Sequence, residues 1–314
     1  MTLGSPLDIL GILSVLIAVA ALLIWVERRL LAIWQDRLGP NRVGPLGLFQ
    51  VVADMIKILS KEDWIPPFAD KPVFVLAPVV IMASMLAAFA VIPITPDIGI
   101  IDFDFDLLYV LAVMALSVYS LMLAGYASNS KYSLIGALRA TAQAMSYEVF
   151  LAMAVLGVVM LAGTFNLRAI VEAQRDGWFV VPQFLGFILF FIGILAETHR
   201  TPFDLPESEN ELVAGYHTEY SGMKFGMFFV GEYVGVTLGA ALIVTLFFGG
   251  WHGPVLPPFA WFVIKTAIFI VLFILVRGAL PRPRYDQLMS FGWLVMLPLS
   301  FLNLLVTGAV VLWR

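Results

Sequence analysis

The chain has 314 residues, of which 61% are hydrophobic and 13% charged, and its mean hydropathy is +0.96. A soluble domain carries about 25% charged residues, and repeated apolar runs of about 20 residues read as spanning helices, so the class is an all-α polytopic membrane protein. The net charge of −4 and the absence of cysteine exclude little about partners, but they remove disulfides, thiolate zinc sites and iron–sulfur ligation from this chain.

Eight spans are predicted, at roughly 6–26, 72–93, 107–127, 142–162, 180–197, 223–248, 259–278 and 290–312, within a single membrane domain over 1–314. The first is read as an uncleaved span, because Arg28 and Arg29 follow its apolar run instead of preceding it. Glu27 ends this helix beside those two arginines, which suggests an exposed ion pair, although it points to the same face as the later acids. The loop that follows opens on turn chemistry, GPNRVGP at 39–45. Over 46–62 the apolar residues Leu48, Phe49, Val52, Met55, Ile56 and Leu59 recur at helical spacing, with Asp54, Lys57 and Lys61 on the other side. This fits an amphipathic helix in the interface plane, either a surface anchor or the lip of an opening for a lipid-soluble substrate.

An even number of spans puts both termini on one side. Loops after helices one, three, five and seven hold Arg28, Arg29, Arg37, Arg42, Lys57, Lys61, Lys71, Lys131, Arg139, Arg200, Lys224, Arg277, Arg282 and Arg284, which makes those loops cytoplasmic and both termini periplasmic. The opposite face collects Asp8, Asp97, Asp102, Asp104, Asp106, Glu172 and Asp176, read as a solvated rim.

Ionisable residues inside spans require a reason, since each costs about 2.5–3.5 kcal/mol on insertion scales. Glu148 shares a face with Thr141 and Ala144, and Glu232 lies beside the seam of Gly231, Gly235 and Gly239, so both are expected to face protein. Lys265 reads either as an outer counter-charge or as a snorkelling side chain, and Asn303 as packing glue.

The segment 197–224, ETHRTPFDLPESENELVAGYHTEYSGMK, carries six acids, Glu197, Asp204, Glu207, Glu209, Glu211 and Glu219, against Arg200 and Lys224. Pro206 suits the start of a short helix on which Glu207 and Glu211 share a face, with Gly215 to cap it. Crowded carboxylates raise one another's pKa, which suits proton exchange coupled to a neighbouring charge; a divalent cation is the competing use of the same oxygens. Tyr216 and Tyr220 can line a quinone- or lipid-sized slot or sit at headgroup level, and His199 and His217 flank the cluster as hydrogen-bonding residues.

Four long stretches, ERRLLAIWQDRLGPNRVGPLGLFQVVADMIKILSKED, SNSKYSLIGALRATAQAMSYE, AETHRTPFDLPESENELVAGYHTEYSGMKFGMFFVGEY and LPRPRYDQLMSFGWL, resemble the H-subunit family of bacterial NADH-quinone oxidoreductases, counterparts of subunit 1 of mitochondrial respiratory complex I. His199 departs from the Asn expected there. The resemblance implies a quinone tunnel at the junction with the hydrophilic arm, partners in both arms, surrounding membrane lipid and no nucleic acid. Quinone is then the bound substrate, while flavin, nucleotide and iron–sulfur clusters belong to other subunits, and the membrane is the bacterial inner membrane. By motif position it assigns proton coupling to Glu148, Glu197, Asp204, Glu207, Glu209, Glu211, Glu219 and Glu232, and the tunnel to Glu27, Arg28, Arg29, Arg42, Asp54, Phe203 and Arg284. No complete active site and no metal site is implied. The competing readings are the membrane subunit of an energy-converting hydrogenase and a standalone ion transporter; the second would show inverted repeats and broken helices, which this sequence lacks.

Overall fold

Ten helices form the body of the computed structural model, which describes residues 6–207 and 213–313; no strand occurs among these residues. They are α1 (Pro6–Trp34), α2 (Gln50–Ser60), α3 (Lys71–Phe89), α4 (Asp106–Ala127), α5 (Lys131–Ala162), α6 (Leu167–Glu172), α7 (Phe184–Glu197), α8 (Gly222–Phe247), α9 (Pro258–Ala279) and α10 (Tyr285–Trp313). Seven described helices, α1, α3, α4, α5, α8, α9 and α10, are long and apolar enough to cross a membrane, and α7 is a shorter apolar helix.

Several boundaries differ from the sequence reading, among them the end of the second span, at Phe89 instead of residue 93, and the start of the last, at Tyr285 instead of residue 290. The first helix runs on to Trp34, past Glu27 and both arginines. The fourth predicted span begins at Lys131 instead of residue 142, and of its polar residues up to Gln143, Ser133 and Gln143 are buried in protein while Lys131 is exposed. The fifth begins at Phe184, since residues 179–183 form turns around Pro182. At 14 residues α7 is about 21 Å long, short of a hydrocarbon core of about 30 Å. The irregular backbone that extends it, through Thr198, His199, Arg200 and Thr201, is buried in protein, the condition under which non-helical chain is tolerated at membrane depth. In α10 the stretch Gly292–Met296 is π-helical and ends just before Pro298, which has no N–H to complete an α-helical bond.

The most enclosed helix is α8, buried along nearly its whole length. Its predicted glycine seam receives two neighbours: Gly231 and Gly235 lie against Ile81 and Met85 of α3, and a Cβ at Gly239 would collide with Ile194 Cγ2 of α7. Side chains larger than hydrogen would hold these backbones apart.

Connections cluster at the two ends of the bundle. At one end the Asp70 N–H donates to Ala127 O (3.0 Å), Lys224 pairs with Asp63 (2.5 Å), and Arg282 pairs with Asp204 (2.6 Å), joining the loops after α2, α4, α7 and α9. At the other end Asn166 Nδ2 donates to Asp102 Oδ1 (2.6 Å) and Phe103 O (2.7 Å), and Gln174 Nε2 donates to Thr245 O (2.8 Å). This partition is the alternation expected of a multi-pass chain.

The second end is more closed than a solvated rim of acids implies. Asp106 is buried, and its carboxylate accepts the Phe103 (2.8 Å) and Leu167 (3.2 Å) backbone N–H groups. Lys265 neither snorkels nor faces an acid: its Nζ donates to Phe248 O (2.7 Å), Gly250 O (3.1 Å) and His252 O (2.7 Å), close to the Trp178 and Trp261 rings. Those carbonyls end α8 and start the next loop, so the ammonium stands in for the missing helix donors. Asn303 is packing glue as expected, donating to Gln183 Oε1 at 3.0 Å.

The first end rests on one face of α5, made by Ser133, Gly136, Ala140, Gln143 and Tyr147 at spacings of three and four. A Cβ at Gly136 would lie 2.7 Å from Gly215 Cα and 2.8 Å from Tyr216 N. Gly136→Ala is therefore expected to force the 213–217 turn off α5 and to destabilise the protein by about 1–3 kcal/mol. Thermal unfolding of the detergent-solubilised complex checks this, with Gly11→Ala, whose Cβ would meet nothing within 4 Å, as the neutral control.

Candidate functional site

The acids of the 197–224 segment are anchored by α5. Gln143, fully buried, donates through Nε2 to Ala196 O (3.0 Å) and to Phe203 O (2.8 Å), so one amide grips both ends of the turn between them. Ser133 Oγ donates to Tyr216 O (2.8 Å) further toward the end of the bundle. Tyr147 Oη donates to Leu288 O (2.9 Å), and its ring meets Phe203 edge-on at 5.2 Å. In a water-poor setting each of those carbonyls would be costly to leave unmade, which holds the turn in one place.

The turn delivers Arg200 into the protein, against α1 and α8. Its Nη1 donates to Glu27 Oε2 at 3.1 Å, and its guanidinium lies over the Tyr233 ring at 4.4 Å. Glu27 also pairs with Arg277 of α9 and accepts from Tyr233 Oη at 3.1 Å. Both Arg200 and Glu27 are buried. Burial by itself would lower the Arg200 pKa; Glu27 together with Tyr233 and Glu232 reverses this and raises it, so the guanidinium stays charged. Glu27 is thus no exposed partner of Arg28 and Arg29 but the common acceptor of two arginines from other elements. The helix continues past it, and its side chain turns inward.

The neighbouring acids divide into two sets. Asp204 is buried and held by Arg282, Nε to Oδ1 at 2.9 Å and Nη2 to Oδ2 at 2.6 Å, and it also accepts from Thr201 Oγ1 at 3.0 Å. Glu197, at the end of α7, is buried with one weak contact from Ser117 Oγ at 3.5 Å, and its Oε2 has no hydrogen-bond partner among the described residues. It lies within electrostatic reach of Glu148, which is half-buried on α5 as expected. Glu232 accepts from Tyr216 Oη at 3.2 Å. Glu219 is half-buried.

Glu207 closes a 3-10 turn, Leu205–Glu207; Glu209 and Glu211, with the rest of the short helix expected there, lie outside the described residues. Tyr216 and Tyr220 line none of the four hollows described below. Tyr216 is fully buried, and Tyr220 stacks on Phe74 at 4.0 Å, where burial raises its phenol pKa and keeps it neutral. His199 is buried, 3.5 Å from Gln143 Nε2 through Nδ1, and the His217 ring meets Tyr216 and Phe225 edge-on. Among the described residues no three His, Asp or Glu side chains gather as a metal site requires.

Three hollows adjoin this cluster in series. One of about 260 Å³ lies between α1, α2 and α8 and is lined by Arg28, Asp54, Met55, Lys57, Ile58, Phe225 and Phe229 among others. A second, about 460 Å³, shares Ile24, Arg28 and Phe229 with it and reaches Glu27, Tyr233 and Arg277. A third of about 10 Å³, room for one water, lies among Glu27, Arg200, Tyr233 and Arg277. A separate hollow of about 430 Å³, wholly apolar, is lined by Phe203, Phe191, Leu288 and Phe291.

The residues assigned to a tunnel from sequence come together only in part. Glu27, Arg28 and Asp54 line the series, Arg28 and Asp54 as a pair at 2.8 Å. Arg29 donates to Pro40 O at 3.3 Å and fixes the loop beside the second hollow. Arg42 is exposed, Arg284 pairs with Asp286 at the start of α10, and Phe203 faces the separate hollow. Sequence reasoning missed Arg277, Tyr233, Arg282 and Gln143 as site residues. The first and third were visible only as members of a base-rich face, and Gln143 as a lone amide among small residues in ALRATAQAMSYE.

A helical bundle that packs buried ionisable side chains against one another at one protein-filled end, beside hollows opening between helices, has the layout of a multi-pass membrane protein with charge held in its interior. Residues 7–308 match the family model described as NADH dehydrogenase. The chain is also 68% identical over 311 residues to the H subunit of the NADH-quinone oxidoreductase of Methylococcus capsulatus (strain ATCC 33009 / NCIMB 11132 / Bath), covering 99% of this chain and 98% of that one. The chain belongs to the NADH dehydrogenase family.

Removing one partner of a buried pair leaves the other charge uncompensated, at about 3–5 kcal/mol. Arg200→Met is expected to lower the unfolding temperature and yield of the assembled complex markedly. Arg200→Lys, which keeps the charge but not the planar stack on Tyr233, is expected to fall between Met and the parent in the same thermal assay.

Proposed function

We propose that this chain is the membrane subunit of a proton-translocating NADH:quinone oxidoreductase that admits quinone from the bilayer and couples its reduction to proton movement. The observation that supports this best is the series of hollows running from the lipid-facing helix α2 to the Glu27–Arg200–Tyr233–Arg277 cluster. Its outer part has apolar walls at Met55, Ile58, Phe225 and Phe229, suited to an isoprenoid tail, and its inner part ends on charge. The similarity to an NADH-quinone oxidoreductase H subunit supports the same reading.

In this reading quinone enters between α1, α2 and α8 and travels toward the charged end, where other subunits of the complex complete the reduction site. NADH, flavin and iron–sulfur clusters belong to those partners, and the subunit sits in the bacterial inner membrane with both termini periplasmic. A change of charge near the headgroup acts first on Glu27, Arg200 and Asp204. It also reaches Glu207, Glu209 and Glu211, which carry the proton uptake. Glu197 and Glu148 then form the first intramembrane step, because two carboxylates within electrostatic reach hold protons alternately. Glu232 and Glu219 extend the set on the α8 side. The chain itself holds the path and the coupling groups, not a complete active site.

Glu148→Gln and Glu211→Gln are expected to lower quinone-coupled turnover and pumping while leaving NADH oxidation by a soluble artificial acceptor intact; full quinone reduction and pumping in both variants would sink the coupling role. A photoreactive quinone is expected to label α2 and the 197–224 segment. Labelling confined to other subunits would remove the tunnel from this chain.

A further inference from the structure

The hollow at the lipid-facing mouth carries charge that a neutral quinone does not explain. Asp54 and Lys57 share one face of α2, Lys61 follows four residues on at the position that ends the helix, and all three line the hollow together with Arg28 of α1. Asp54 is already engaged, by Arg28 at 2.8 Å and by Gln50 Nε2 at 2.9 Å. Lys57 and Lys61 make no ion pair with any described residue. The lining thus holds three bases against one acid, with the surplus on two lysines one helical turn apart.

The other faces of α2 say what meets those lysines. Phe49, Val52, Ile56 and Leu59, at 54–68% exposure, form a stripe on the outside of the protein, while Met55 and Ile58 form an apolar wall inside the hollow. Such a helix rides at the level where headgroups meet acyl chains. Two ammonium groups at that level, with an apolar wall beside them, match a lipid phosphate with an acyl chain laid along Met55 and Ile58. A zwitterionic headgroup brings its own cation and gains less than an anionic one, for which each lysine adds about fivefold in affinity.

We infer that Lys57 and Lys61 hold the phosphate of an anionic phospholipid at the mouth between α1, α2 and α8. The lipid contact stands on the geometry of α2 alone; its consequence, that the bound lipid flanks the mouth and sets how readily quinone enters, rests on the quinone reading above.

The test uses the intact complex in nanodiscs of phosphatidylcholine with and without phosphatidylglycerol. A photoreactive phosphatidylglycerol is expected to label α2 and the start of α8, and Lys57→Gln with Lys61→Gln to reduce that label more than tenfold. Lys71→Gln with Lys131→Gln, which removes two exposed lysines outside the hollow, is expected to leave it unchanged. The apparent KM for quinone is expected to shift with phosphatidylglycerol in the parent and not in the Lys57/Lys61 variant. Equal labelling by a photoreactive phosphatidylcholine, equal loss in both double variants, or crosslinking of these lysines to an acidic segment of a neighbouring subunit overturns the inference. A photoreactive quinone in the same samples separates the two claims: lipid labelling without quinone labelling at this mouth keeps the phosphate site and removes its link to quinone.

Discussion

One face of α5 carries the inner end of the molecule. Ser133, Gln143 and Tyr147 each give a hydrogen bond to a backbone carbonyl of a different stretch, at Tyr216, at Ala196 and Phe203, and at Leu288, and Gly136 lets Gly215 come into backbone contact. A helix of 32 residues holds these anchors at fixed heights. The bonds they make are hard to exchange for water at this depth, so the loops they hold share the rigidity of the helix. Everything that distinguishes this end, from the inward aim of Arg200 to the pairing of Asp204 with Arg282, follows from where α5 sets those backbones.

That rigidity makes a buried charge cluster tolerable. Glu27 accepts from two arginines and a tyrosine supplied by three other elements, and the third hollow beside it has room for a single water. Charges this poorly hydrated interact strongly, and the positions of α1, α8, α9 and the turn after α7 become linked through one carboxylate. The Glu148–Glu197 pair is the contrasting case, two acids close enough to feel each other with no base among their described hydrogen bonds. One cluster is electrostatically satisfied and the other is not.

The opposite end uses the same residue types to close the structure. Asp106 accepts backbone N–H groups, Lys265 donates to three carbonyls, and Gln174 donates to Thr245 O while accepting from Gly249 N. Side-chain pairs also occur there, Arg168 with Asp102 at 3.7 Å and His252 with Glu172 at 3.8 Å, but these are partly exposed. The asymmetry between the ends therefore lies less in the number of ionisable residues than in what the buried ones face: chiefly backbone at one end, other ionisable side chains and open space at the other.

The class, the run of apolar helices, the alternation of loops and the amphipathic character of α2 were legible in the chain, because hydropathy over about 20 residues and spacing within a helix are local properties. The placement of Glu197, Asp204, Glu148 and Glu232 in partly or wholly buried settings was legible too, since carboxylates stand out in apolar surroundings. The inward turn of Glu27 was not, because its neighbours Arg28 and Arg29 suggested a surface pair while its real partners lie 173 and 250 residues away. Nor was it legible that Lys265 caps α8, that Tyr216 is fully buried, or that Gln143 joins Ala196 to Phe203. Those outcomes belong to the tertiary structure, for one physical reason: the partner of a buried polar group is chosen by which distant backbone or charge is packed against it, and no local pattern in the chain encodes that neighbour.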